Sequence, residues 1–278
     1  PIREQLYKIL FRPDKNAPEY KAVVEASRAT HTAPLDLLQK AGAIDSAYQF
    51  HWKRFLFENF PKGTGFPALA APQPPADLPL APVQAYSIDD SQTTEIDDAL
   101  SVQGLGTGTV VLGIHIAAPG LAIQPGSAID QLGRARLSTV YMPGYKITML
   151  PDEVVQTFTL AAGRDCPAVS LYLDVTPGLA IVGEESRVEI VPIVANLRHH
   201  DIEPVFNDET VHGEGPDFQW KRELTLLWDL ATVLEAGRGK AGGNEDRVDY
   251  GFSVDWTQRS VDGPGQISIS RRLRGSPL

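Results

Sequence analysis

The chain has 278 residues, a formal net charge of −10 and one cysteine, Cys166; this length holds two domains, and a lone cysteine excludes an internal disulfide. With 42% hydrophobic and 22% charged residues it has the composition of a folded globular protein and not of a disordered tail. No apolar run reaches the roughly 18 residues of a spanning helix, and the opening PIREQLYKIL lacks the sections of a secretory signal, so a cytoplasmic protein without membrane contact is expected.

Charge is uneven: residues 1–66 carry +3, 67–182 carry −7 and 183–278 carry −6. An acidic balance argues against tight, sequence-independent binding to a phosphate backbone. The sequence begins at Pro1 without Met and stops at SPL after a strand-like run, as a fragment of a longer protein would.

Residues 1–60 are predicted to be helical, because apolar positions recur at helical spacing: Tyr20 with Val23 and Val24, Leu35 with Leu38, then Tyr48, Trp52, Phe55 and Leu56. Thr32 is the expected cap of a helix over 33–41, with Pro34 in its first turn and Gly42 beyond its end, and a further helix starts from Ser46. Two helices across a tight turn suggest a helix-turn-helix, possible in a winged-helix domain; a small bundle with an aromatic core explains the same stripe. Residues 61–82 hold seven of the 22 prolines and are predicted to be an extended linker.

From 83 the pattern turns to β. Strands are predicted over 83–88, 99–103 and 109–117, the last two joined by the Gly-rich turn LGTG. A helix follows over 126–139, with Ile129, Leu132 and Leu137 apolar, then strands over 168–175, 180–183 and 187–193. Residues 220–236 give the clearest helix, with Leu224, Leu227, Trp228, Ala231 and Leu234 on one face and Gly237 ending it. Strands over 248–256 and 265–271 complete an α+β chain without internal repeats, its strands grouped and not alternating with helices.

The segment from Ser87 to Ala99 places five carboxylates, Asp89, Asp90, Glu95, Asp97 and Asp98, within ten residues, with no basic residue near them in sequence. A solvated loop tolerates such charge. Bracketed by Ile88, Ile96, Ala99 and Leu100, however, the carboxylates need cations among them or raised pKa values, and oxygen-only donors point to Mg²⁺ or Mn²⁺ in preference to zinc. An EF-hand is excluded by Thr94 where its turn glycine belongs and by the acidic spacing. On an extended backbone the neighbours Asp97 and Asp98 point opposite ways and suit different jobs.

Ile-Asp, five residues, an acid, one residue and Asp-Asp-Ala resembles the signature of the ribonuclease II and ribonuclease R exoribonucleases, in their RNB catalytic domain. Gly113-Ile114-His115-Ile116-Ala117 resembles that family's next strand, and Pro125-Gly126-Ser127 with Asp130 the start of its following helix. Thr139-Val140-Tyr141-Met142-Pro143-Gly144 and Met149-Leu150-Pro151 resemble its loop over the active site. The resemblance is densest over residues 84–176.

The resemblance implies a mixed α/β RNB-type nuclease domain over 83–278, present as its N-terminal portion. It implies a hydrolase that degrades single-stranded RNA processively from the 3′ end with Mg²⁺, releasing nucleoside 5′-monophosphates, with no obligate protein partner. Matched residue by residue, Asp89, Glu95 and Asp98 correspond to metal-holding acids, Asp97 to the aspartate that works on the terminal nucleotide, and Tyr141 to the tyrosine that clamps it. Glu95 stands where the family usually has Asp, and Ala118 where an Asp usually follows Ile-Ala. The helical segment replaces the family's cold-shock barrels, and the later Ser-Pro-x-Arg segment, further glutamate and C-terminal RNA-binding barrel do not occur in the 278 residues.

Other features carry less. His199-His200-Asp201 lacks the spacing of a zinc site, His115 suits a satisfied core histidine, and Gly237-Arg238-Gly239-Lys240-Ala241-Gly242-Gly243 lacks the P-loop pattern. Arg271, Arg272 and Arg274 form a local basic patch that suits phosphates or a solvated strand end. The rival to the exoribonuclease is a non-catalytic nucleic-acid-binding protein whose acidic cluster holds a structural ion; a nuclease of single-stranded DNA is a third reading.

Overall fold

A computed structural model describes residues 1–70, 72–90, 93–142, 145–213, 215–238, 248–258 and 265–273. The chain divides into two compact units: one comprises Pro1–Pro67, Tyr141–Ile147 and Gly251–Ser270, the other Ala68–Val140, Thr148–Tyr250 and Arg271–Leu278.

In the first unit, Pro1–Pro67 form a 3₁₀ turn at Arg3–Gln5, then α1 (Leu6–Leu10), α2 (Pro18–Thr30), α3 (Pro34–Lys40) and α4 (Ala47–Asn59). Ile9, Val23, Leu38, Ile44 and Phe50 make their core. Tyr7 stacks on Phe50 and Phe57, and the Arg54 guanidinium lies 3.1 Å from the centre of the Phe11 ring. The aromatic that α4 gives this core is Phe50, whereas the predicted stripe of Tyr48, Trp52, Phe55 and Leu56 is half-buried and lies outside the core. The described residues of this stretch contain no strand, so they supply no wing. Ser46 caps α4 by accepting the Gln49 N–H at 3.0 Å. Thr32 does not cap α3: its hydroxyl donates to the Thr30 carbonyl at the end of α2, and Ala33 holds the cap position without a side-chain bond.

The second unit is built on β1 (Ala85–Asp89), β2 (Asp98–Gln103), β3 (Val110–Ala117), β6 (Arg164–Val175) and β7 (Ile181–Arg198), which close into a barrel in the order β1-β2-β3-β6-β7. All neighbours are antiparallel except β1 and β7, whose parallel pairing sets Ser87 opposite Asn196 and Asp89 opposite Arg198. Between the barrel strands lie α5 (Ala128–Arg136), β4 (Val140–Met142), β5 (Tyr145–Ile147) and α6 (Asp152–Phe158); after β7 come α7 (His199–Ile202), α8 (Lys221–Gly237), β8 (Val248–Asp255) and β9 (Gln266–Leu273). β4 pairs with β5, and β8 with β9.

Alternation along each strand gives the barrel an inner and an outer face. Ala85, Ala99, Cys166, Ala168, Tyr172, Val191 and Ile193 pack together inside with Ile96 and Leu160. Outside, Tyr86, Leu112 and Val175 are covered by Leu224, Leu227 and Trp228 of α8 and by Phe206 and Val211. Leu224 is fully buried there, and truncating such a side chain to Ala costs about 2–5 kcal/mol. Inside, buried His115 lies 2.8 Å from both Ser101 Oγ and Ser170 Oγ, and Tyr172 donates to Glu189 at 2.6 Å.

Several expectations need correction. The proline-rich segment is a linker only in part, because Ala81 N–H donates to Ile190 and Ile190 N–H to Pro79, adding its end to the edge of β7. The strands predicted over 180–183 and 187–193 are one strand of 18 residues: the polar run between them pairs along β6 with its side chains exposed, so polarity does not interrupt it. The helix over 126–139 ends at Arg136, where Leu137 takes a positive φ of 67° and is 80% exposed. Ser127 and Asp130 form its reciprocal cap, Asp130 N–H donating to Ser127 and the Asp130 carboxylate accepting from Gly126 N–H. Helix α6 was not foreseen; it buries Val154 and Phe158 against Ile129 of α5.

Candidate active site

The carboxylate segment is tied into the barrel at both ends. Asp89 is the last residue of β1 and Asp98 the first of β2. Between them, Ile96 N–H donates to Thr159 Oγ1 at 2.8 Å, Leu160 N–H donates to the Ile96 carbonyl at 2.9 Å, and Ala117 N–H donates to the Asp97 carbonyl at 2.8 Å. Ile96 is buried in the barrel core while Asp97 and Asp98 reach solvent and Asp89 and Glu95 are half-buried. The backbone under the acids is therefore fixed, and the acids stand at the rim.

Partial desolvation first, and the Asp89 charge second, hold the Asp98 carboxyl above the ordinary carboxylate range. The two aspartates, nine positions apart in sequence, are electrostatic neighbours because the segment between β1 and β2 folds back. Among the described residues no group of three or more His, Cys, Asp or Glu side chains converges on one ion position, so the structure joins Asp89 with Asp98 and does not draw Glu95 into a three-carboxylate cluster. Mg²⁺ commonly takes only one or two protein carboxylates and completes its shell with water and substrate phosphate. A half-desolvated Asp98 carboxyl beside the Asp89 charge fits such an ion, whose charge relieves their repulsion.

Sequence proximity gave the acids no cationic neighbour; the fold supplies one. Arg198, at the end of β7, donates through Nη1 to the carbonyls of Asp90 at 2.9 Å and Thr93 at 3.2 Å. Asn196, two residues earlier, donates to Ser87 Oγ at 2.9 Å, and Ser87 donates to Asp89 Oδ2. Sequence reading missed Ser87, Asn196 and Arg198 as site residues, and no local signal marks the last two, which lie more than 100 positions from the segment they hold.

Of the remaining expectations, Tyr141 lies in β4, in the first unit, and is 70% exposed. His115 is the core histidine expected. His200 pairs with Asp201 at 3.3 Å on exposed α7 and joins no metal group among the described residues. Arg271 is exposed in β9. Pro143, Gly144, residues 239–243, Arg274 and the Arg272 side chain lie outside the described residues.

A five-stranded barrel carries the neighbouring aspartates Asp89 and Asp98 at its rim. The chain belongs to the RNB domain family, whose model matches residues 79–267. It is 41% identical over 198 residues to Exoribonuclease 2 of Proteus mirabilis, an alignment covering 67% of this chain and 30% of that protein. Its fold is similar to that of Mycoplasma genitalium RNase R in complex with ribose-methylated single-stranded RNA, with a TM-score of 0.53, 18% identity, and coverage of 74% of this chain and 31% of the other. It is also similar to yeast Ssd1, described as a pseudonuclease, with a TM-score of 0.51, 19% identity, and coverage of 60% and 21%. The chain spans less than a third of the length of the curated relatives it matches.

Proposed function

We propose that the chain carries the carboxylate centre of a hydrolytic 3′→5′ exoribonuclease that acts on single-stranded RNA with Mg²⁺, or Mn²⁺ in its place, and releases nucleoside 5′-monophosphates. The observation that carries this reading is the coupling of Asp89 and Asp98 at the barrel rim, within a chain of the RNB family. Asp89 and Asp98 would hold the cation, with Glu95 reaching it through water. A divalent cation bound there supplies a water of lowered pKa and neutralises charge developing on the phosphate. Asp97, with its backbone fixed by Ala117 and its side chain in solvent, accepts a hydrogen bond from the 2′-OH of the terminal nucleotide, the group that separates RNA from DNA. Tyr141 offers an exposed ring on which a base stacks for about 1–3 kcal/mol without demanding a sequence. No described helix is long and apolar enough to cross a membrane, and the cytoplasmic location expected from the sequence belongs to this reading.

The test is a 5′-labelled single-stranded RNA incubated with the full-length protein, with Mg²⁺ or with EDTA, and resolved as a product ladder. Shortening from the 3′ end only with metal, and lost in Asp98→Asn, supports the reading. A second reading, a non-catalytic RNA-binding protein, is favoured by the likeness to the Ssd1 pseudonuclease. It predicts binding that is indifferent to Mg²⁺ and RNA that stays intact throughout.

A further inference from the structure

The strongest unassigned arrangement is a line of hydrogen bonds behind Asp89. Ser87 lies two residues before Asp89 on β1, so both side chains share one strand face, and Ser87 is 1% exposed. Across the parallel pairing stands Asn196. Its Oδ1 accepts from the Ala162 N–H at 2.7 Å, and its Nδ2 donates to the Leu160 carbonyl and to Ser87 Oγ, both at 2.9 Å.

These partners fix every proton in the line. The Ala162 N–H can only donate and the Leu160 carbonyl can only accept, so the Asn196 amide has a single orientation. Ser87 therefore accepts from Asn196, and its one hydroxyl proton goes to Asp89 Oδ2. A carboxylate held at Oδ2 is restrained toward one rotamer and keeps Oδ1 as a further acceptor.

We propose that Ser87 and Asn196 are positioning residues: together they hold the Asp89 carboxylate in the one rotamer that receives a divalent cation, and so set the affinity of the rim for that cation. The part concerning the cation rests on the reading under Proposed function; the part concerning the rotamer does not. Groups that orient a metal-holding carboxylate typically contribute 10–100-fold in affinity, and loss of the Ser87 proton is expected to weaken Mn²⁺ binding about tenfold.

The test uses the whole chain in two measurements, the Asp89 χ1 rotamer from three-bond NMR couplings to Cγ without metal, and Mn²⁺ affinity by EPR titration. Wild type is expected to hold one rotamer. Ser87→Ala, which deletes the donor, and Asn196→Asp, which deletes the amide that directs it, are expected to give averaged couplings and the tenfold loss. Ser87→Thr keeps the hydroxyl and is expected to restore both, a rescue that loss of packing alone does not predict. A single unchanged rotamer in Ser87→Ala overturns the proposal, as does an averaged rotamer with wild-type Mn²⁺ affinity, or failure of Ser87→Thr to restore. If wild type binds no Mn²⁺ while Ser87→Ala frees the rotamer, the cation reading fails and the positioning role stands.

Discussion

Acidification is predicted to destabilise the barrel through one side chain, His115. It is 0% exposed between Ser101 and Ser170, with its ring edge-on to Tyr172 at 5.7 Å. Burial pushes its pKa down from 6.5 to about 4, against a smaller opposite pull from Glu189. The unfolded chain therefore binds a proton more readily than the native one between these values, and stability falls as pH falls through that window. A gap of about 2.5 units corresponds to about 3 kcal/mol once pH is below 4, of which about 2 kcal/mol is lost by pH 5 and almost nothing above pH 7. Asp98, with its raised pKa, contributes in the opposite direction. The assay is urea unfolding from pH 7.5 to 4.5 with Trp52 and Trp256 replaced by Phe, leaving Trp220 and Trp228, which pack on the barrel's outer face. His115→Gln is expected to be less stable at neutral pH but to lose the slope between pH 7 and 5. An unchanged slope in that variant, or an imidazole NMR titration with a midpoint near 6.5, would refute the reasoning.

Three further outcomes are expected. A Cβ at Gly113 would lie 2.4 Å from Ser101 Oγ and 2.7 Å from His115 Nε2, so Gly113→Ala should cost about 1–3 kcal/mol by overpacking the buried pair, whereas Gly183→Ala, which meets only the exposed Asp174 side chain, should shift the urea midpoint little. Asp97→Asn and Asp98→Asn should each lower cleavage at least about a hundredfold with RNA affinity by filter binding nearly unchanged; an equal loss of both would assign these carboxylates to binding. Tyr141→Ala should weaken the hold on the last nucleotide and change the lengths at which degradation stops, and an identical end-product ladder would remove that role from Tyr141.

What was legible in the sequence was local. A β-rich run beside a Gly-rich turn marked β3, helical spacing marked α8, and Ser46 announced the start of α4, each because the signal and the contact lie within a few residues. Thr32 misled because its hydroxyl had a nearer acceptor at Thr30. Helix α6 escaped because seven residues offer barely two turns of periodicity, although Pro151 followed by Asp152 and Glu153 is an N-terminal pattern. For the site, the acidic run marked Asp89, Asp90, Glu95, Asp97 and Asp98 and the family resemblance singled out all but Asp90, but only the pairing of β1 with β2 showed that Asp89 and Asp98 are neighbours. Arg198 and Asn196 are ordinary residues in an ordinary strand until the parallel partner is known.

That parallel pair also bears on biosynthesis. The acidic segment leaves the ribosome 108 residues before Arg198, which clamps Asp90, and β1 has no barrel neighbour on that side until the end of β7 emerges. Until then the nascent chain carries its acids on an unclosed sheet, without the Asn196 bond to Ser87 and the Arg198 bonds to the Asp90 and Thr93 carbonyls. The full set of hydrogen bonds at the rim therefore needs the end of β7, the last barrel strand to be made.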